Sequence, residues 1–293
     1  MRWQDLRRSD NVNDRRDEDG GGSGGGGGLP IGQLGIGGVV IVGVISLLLG
    51  QNPLQVLGLI ANHNAPAHRS QPTQQPKVAT RDDPASQFAR AILASTEDVW
   101  SKAYPEAFGS PYKKPTLVLF RGQVKSACGS ASSAMGPFYC SADQQVYIDL
   151  SFYDELAKRY GAPGDFANAY VLAHEIGHHV QNLSGISGKV HQKQQQLSKK
   201  QANALSVKLE LQADCLAGVW GYYAAQNKLL ELGDVEEGLA AANAIGDDTL
   251  QRGAGQAVTP DAFTHGNSEQ RVHWFKQGLA SGSVNSCNTF ASK

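Results

Sequence analysis

VLAHEIGHHVQNLSG, residues 171–185, decides how the rest of the chain is read. Apart from its few polar letters the stretch is apolar, so its spacing predicts a buried helix. Buried imidazoles and carboxylates need partners. His174, Glu175 and His178 match HExxH. Four residues are about one helical turn, so both imidazoles face the same way and can reach one tetrahedral metal ion. Glu175, beside the first histidine, can approach a water at that metal without being a ligand, and there it can act as general base. Gly177 allows another backbone to come close. The competing reading is a buried helix that holds polar residues and no metal.

A catalytic zinc site uses three protein ligands and keeps a fourth position open. The extended pattern with a third histidine after a glycine turn is absent: Ser184 stands where that histidine would fall, and Gln181 where the glycine would. The third ligand therefore comes from elsewhere. In ALSVKLELQADCLAGVWGYYA, residues 204–224, Glu210 and Asp214 are the only acids of a long apolar helix. They lie one turn apart on one face. A metal would satisfy Glu210, and the N–H of a ligating imidazole would satisfy Asp214. The plain alternative is a surface-edge pair near Lys208. In FTHGNSEQRVHWF, residues 263–275, His265 and Arg271 flank a helix start capped by Asn267 or Ser268. They could stabilise an oxyanion beside the metal or orient the ligands; capping or packing is the alternative for His265. His179 is expected to point away from the metal face. His191 falls in a polar segment, and Asp247 and Asp248 read as helix-end or loop acids.

Moving outward, the chain has 293 residues and a net charge of −1, which gives no electrostatic footprint for nucleic acid. Residues 1–28 are a charged segment followed by a glycine tract, read as a cytoplasmic tail. Residues 29–60 carry no charge, and Ile31–Leu49 would span roughly 28 Å as a helix, about one bilayer core. Residues 29–51 are therefore expected to be a transmembrane anchor in the inner membrane. A cleaved signal peptide fits less well, because the apolar run is too long and no cleavage-like site follows promptly. A buried core helix has no neighbours to pack on. Five arginines, Arg2, Arg7, Arg8, Arg15 and Arg16, precede the span and none follows until Arg69, which orients the N-terminus inward and the rest outward. There the four cysteines can oxidise. Cys128 with Cys140 and Cys215 with Cys287 is the simplest of three pairings, with free buried thiols as the alternative.

Residues 52–83 read as a linker and 84–293 as the folded domain. Helical spacing covers 84–104, strands suit 115–120 and 146–150, and helices follow over about 164–183, 203–227, 234–252 and 268–280. The segment 189–201 is polar; it could cover a cleft, although an ordinary solvated helix suits it better. The fold class is α+β: a mainly helical, zincin-like domain with a small sheet, preceded by one transmembrane helix.

HExxH on one helix and Glu-x-x-x-Asp on the next resemble the gluzincin arrangement. More closely, the chain resembles the bacterial neutral zinc metallopeptidase family, the YpfJ-like group. The resemblance runs nearly end to end, through the opening MRW, SDNV and DRR, then GPFYCSADQQVYIDLSFYDEL, AHEIGHHVQ, NALSVKLELQADCLAGVW and THGNSEQRVHWF. It implies one zinc per chain at His174, His178 and Glu210, with Glu175 catalytic. The expected function is a membrane-anchored zinc metalloendopeptidase acting on a peptide or protein substrate, with the strand around Tyr147–Asp149 pairing with extended substrate. The alternatives are a non-catalytic zinc-stabilised binding or scaffold module, and a zinc hydrolase of another amide or ester.

Overall fold

The computed structural model describes residues 1–18 and 83–291 of the chain. Its strands are Val12–Asp14 (β1), Thr116–Phe120 (β2), Gln123–Ser126 (β3), Gly129–Ser132 (β4), Phe138–Cys140 (β5) and Gln145–Asp149 (β6). Its α-helices are Pro84–Phe108 (α1), Phe152–Lys158 (α2), Asp165–Leu183 (α3), Ile186–Gln194 (α4), Lys199–Gln226 (α5), Asp234–Ala244 (α6), Asp247–Gly253 (α7) and Ser268–Ser281 (α8). The architecture is mainly helical with small sheets, an α+β domain.

The main sheet runs β1-β2-β6-β5, with the first three strands parallel and β5 antiparallel to β6. TLVLF in β2 is apolar almost throughout because both faces of the sheet are covered. Leu117 and Leu119, with Val146 and Ile148 of β6, point into the main helical core. Val118, Phe120 and Tyr147 point the other way, under the β3–β4 hairpin with Val124 and Ala131. A disulfide from Cys128 to Cys140 fastens that hairpin to β5, and a second joins Cys215 of α5 to Cys287. Strand β6 is paired along its whole length by β2 and from Gln145 to Tyr147 by β5, so Tyr147 has a strand on both sides, while Ile148 and Asp149 are paired by β2 alone. An extended substrate on this strand would therefore meet Ile148 and Asp149, not Tyr147.

Helix α1 begins where sequence placed it, with Asp83 accepting the Ser86 N–H and Pro84 at its first turn. It ends at Gly109 in the left-handed region. The helix expected over 234–252 is two. It breaks at Gly246, where a Cβ would lie 2.4 Å from the Ser268 nitrogen, so α7 starts at Asp247 against the loop before α8.

Residues 1–18 depart from their reading as part of a separate tail. β1 is a strand of the main sheet, Val12 opposite Leu117 and Asp14 opposite Leu119. Several of the segment's charges are paired with the domain. Buried Glu97 of α1 accepts from Ser9, Asn11 and Arg7, and buried Arg16 donates to Asp14 and Asp83. The expected anchor at 29–51 lies outside the described residues. Among the described residues no helix is long and apolar enough to cross a membrane.

Candidate metal centre

Helix α3 packs on α5 at Gly177, where a Cβ would lie 3.0 Å from the Ala213 Cα and carbonyl oxygen. Only a residue without a side chain permits this approach. It brings one turn of each helix together. His174, His178 and Glu210 each offer a ligand atom, all within 4.8 Å of one another. The His174 Nε2 is 3.2 Å from one Glu210 oxygen, and the His178 Nε2 is 3.5 Å from the other. The two rings are perpendicular, 4.8 Å apart.

The donor set fits zinc: two imidazoles, each held at Nδ1 so that Nε2 faces the common point, and a carboxylate. His174 donates its Nδ1–H to Asp214 at 2.8 Å. Asp214 has no exposed side-chain surface and also accepts from the Tyr170 hydroxyl at 2.6 Å and from two Arg271 nitrogens at 2.9 Å. Burial alone would raise the Asp214 carboxyl, but Arg271 and then His174 hold it down, at about 2. His178 donates instead to a neutral group, Gln181 Oε1, at 2.9 Å. Burial disfavours its cation, and Glu210 outweighs that, raising it to about 9. In Glu210 the two histidines and His265 overcome burial and hold the carboxylate well below its ordinary range.

Glu175 is 8 % exposed and accepts no hydrogen bond among the described residues. Burial raises it above the ordinary value, opposed by His174 and His178. A buried carboxylate with no structural partner, beside three ligand groups, is equipped to move a proton.

His265 reaches the same locality from the other wall. The Asp247 carboxylate accepts the backbone N–H groups of Thr264, His265 and Gly266 through one oxygen. Its other oxygen lies 3.2 Å from His265 Nδ1. Burial works against the imidazolium, while Glu210 and Asp247 raise it. Arg271 is 3 % exposed and spends its nitrogens on Asp214, Tyr170 and the Ile245 carbonyl. It therefore stands behind His174, not in the cleft, and orients Asp214 instead of reaching an oxyanion.

His179 turns away from the metal point. It donates to the Lys113 carbonyl and accepts from the Tyr139 hydroxyl, and burial lowers it to about 4. Those bonds tie α3 to β2's approach and to β5. His191 lies exposed on α4. Sequence reading passed over Tyr170 and Gln212, noted Gln181 only as standing where a glycine would fall, and set Asp247 aside as a helix-end or loop acid. Two had a legible signal: Tyr170 is one turn before His174, and Gln181 is three residues after His178 on the same face. Asp247 depends on the break at Gly246 and had none.

The family model described as "Putative neutral zinc metallopeptidase" matches residues 1–290. The YpfJ protein of Escherichia coli (strain K12), itself uncharacterized, is 49% identical over 292 residues, covering 99% of each chain. The uncharacterized proteins Mb2605 of Mycobacterium bovis and Rv2575 of Mycobacterium tuberculosis (strain H37Rv) are each 42% identical over 208 residues, which is 67% of this chain and 68% of theirs. No solved structure matches.

Proposed function

The chain belongs to the neutral zinc metallopeptidase family, and from that premise we propose that it is a zinc-dependent endopeptidase with Glu175 as general base. The observation that carries this reading is Glu175 itself. Its carboxylate is buried beside His174, His178 and Glu210 and is raised by that burial, yet it braces no part of the fold. A purely structural zinc site needs no such group.

His174, His178 and Glu210 would hold the ion, which supplies Lewis acidity toward a carbonyl oxygen and toward water. Glu175 takes the proton of the attacking water and returns it to the leaving amine. His265, with Nδ1 toward Asp247, keeps Nε2 without a protein partner among the described residues, so that as the imidazolium it would offer an Nε2–H to the oxygen that gains charge. Asp214 and Arg271 keep the His174 tautomer fixed. Among the described residues β5 pairs on one side only, and Tyr139 within it is bonded to His179 and Asn182 of the ligand helix. Its free edge suits an extended peptide. The apolar residues 29–60 are proposed to attach the protein to a bilayer, and the pairing of all four cysteines supports an extracytoplasmic domain.

The test is zinc content and hydrolysis of an unfolded protein, measured together. Wild type should hold about one zinc and cleave. Glu210→Ala should lose the zinc. Glu175→Gln should keep zinc while cleavage falls by about 10²-fold or more. Zinc retained with equal activity in Glu175→Gln would overturn the assignment of the base. Zinc bound by a wild type that cleaves no peptide or protein would favour the scaffold reading.

A further inference from the structure

The N-terminal arginines and the apolar stretch after them are not used by the site, and the fold constrains both. We propose that residues 1–18 are a permanent part of the catalytic domain. On this view they lie on the same side of any membrane as residues 84–291, so the chain between them makes no net crossing. This inference is independent of the zinc reading.

Four sets of contacts join the segment to the domain. Leu117 donates its backbone N–H to Asn11, and Arg15 donates to Leu119, both in the ladder of β1 with β2. Ser9 donates to the Arg90 carbonyl, and Arg2 to that of Leu229. Glu97, whose side chain is 1% exposed, takes Ser9 at 2.6 Å, Asn11 at 2.7 Å and Arg7 at 2.8 Å. Apart from Lys114 at 3.4 Å, these are its partners, so removing the segment would strand a buried carboxylate. Trp3 packs edge-on against Phe88 and donates to Asp165.

Arg16 closes the argument. Its guanidinium is 6% exposed and bridges Asp14, in the segment, to Asp83, the cap of the first domain helix. The described chain therefore ends and resumes at one place, with Arg16 against Asp83.

A bilayer core is about 30 Å thick, and no hydrogen bond or ion pair reaches across it. A single crossing would put β1 and β2 on opposite sides, so the number of crossings is even. The expected topology of an inward N-terminus and an outward domain is incompatible with this arrangement.

The experiment uses the full-length chain in cells, where the four native cysteines are paired. Asp10→Cys and Gln192→Cys place single thiols at exposed positions of the segment and of the domain. Each is treated with a membrane-impermeant maleimide before and after lysis. The proposal expects the two variants to label alike, both before lysis or both only after it. Labelling of one before lysis and of the other only after would overturn it. Amide exchange on the purified protein guards against a displaced segment. Residues 9–15 should be protected as strongly as 115–119, and free exchange in 9–15 would count against the proposal.

Discussion

Gln181 gives the sharpest test of how the ligands are held, because its amide has a single orientation. Its Nε2 donates to the Leu209 carbonyl at 2.7 Å and to Gln212 Oε1 at 3.1 Å. Both are acceptors, so the oxygen must face His178, and His178 must carry its proton on Nδ1. Gln212 is anchored in turn by the Cys287 carbonyl. One fully buried side chain thus connects a ligand on α3 with the turn of α5 that carries Glu210. Gln181→Leu keeps the approximate volume and removes all three bonds. The groups left unpaired cost about 1–3 kcal/mol each, partly offset because Leu209 keeps its helical bond and the new side chain is apolar. A net loss of about 2–4 kcal/mol would lower Tm by roughly 5–15 °C in a domain of this size. Zinc affinity should fall about 10–100-fold, the usual effect of removing a ligand's support. Gln181→Glu separates the two effects. It still accepts from His178, now with a charge, but it turns a carboxylate oxygen toward two other acceptors. It should therefore lose stability as Gln181→Leu does and hold zinc within a few-fold of wild type. The assays are thermal unfolding in chelator and zinc competition against a chelating dye at neutral pH. A folded Gln181→Leu that binds zinc as wild type does would refute the claim that this amide sets His178.

Two further outcomes follow from packing and charge. Gly278→Ala would place a Cβ 1.9 Å from the Cys215 carbonyl oxygen at the α5–α8 contact, and it should cost at least about 1–3 kcal/mol. Gly253→Ala, where a Cβ meets nothing within 4 Å, should be neutral or slightly stabilising, and equal denaturant midpoints for the two would contradict the close approach. Asn11, Ser9 and Arg7 hold Glu97 below the ordinary carboxylate range, although burial raises it. Its contribution is therefore complete above that range and is lost as pH falls through the depressed value. Amide exchange should show residues 1–18 loosening on acidification, and Glu97→Gln should loosen them already at neutral pH; a segment equally protected at acid and neutral pH would contradict this.

The part of the site that was legible in sequence is the part carried by helical periodicity. His174 and His178 must share a face if residues 171–183 are helical, and so must Glu210 and Asp214. Two acids in an otherwise apolar helix imply partners before any coordinates exist. The predicted helix also made Tyr170 and Gln181 reachable, although nothing in spacing alone distinguishes a support for an imidazole from a core polar residue. What periodicity cannot carry is a chain reversal. Asp247 serves His265 only because Gly246 breaks a helix that the pattern allows to continue, and that break is fixed by the close passage of Ser268, which is remote in sequence.

The N-terminal segment failed for a related reason. A dense run of Arg and Asp next to a glycine tract has the composition of a solvated tail, and composition reports the average environment of a residue type, not its partner. The missing information was held by Glu97. Glu97, in the ARAILASTEDVW stretch of α1, is a weaker anomaly than Glu210 in α5, because Arg90 and Asp98 share the stretch, but the same reasoning asks for donors from elsewhere. Applied evenly, the argument that found the third ligand would also have asked which cations reach Glu97. Of the arginines in the first eighteen residues, Arg7 lies against it. The positive-inside count treated those arginines as free to report on topology, but Arg7 and Arg16 are committed to ion pairs with α1 and its cap. A charge spent inside a fold carries no information about which side of a membrane it faces.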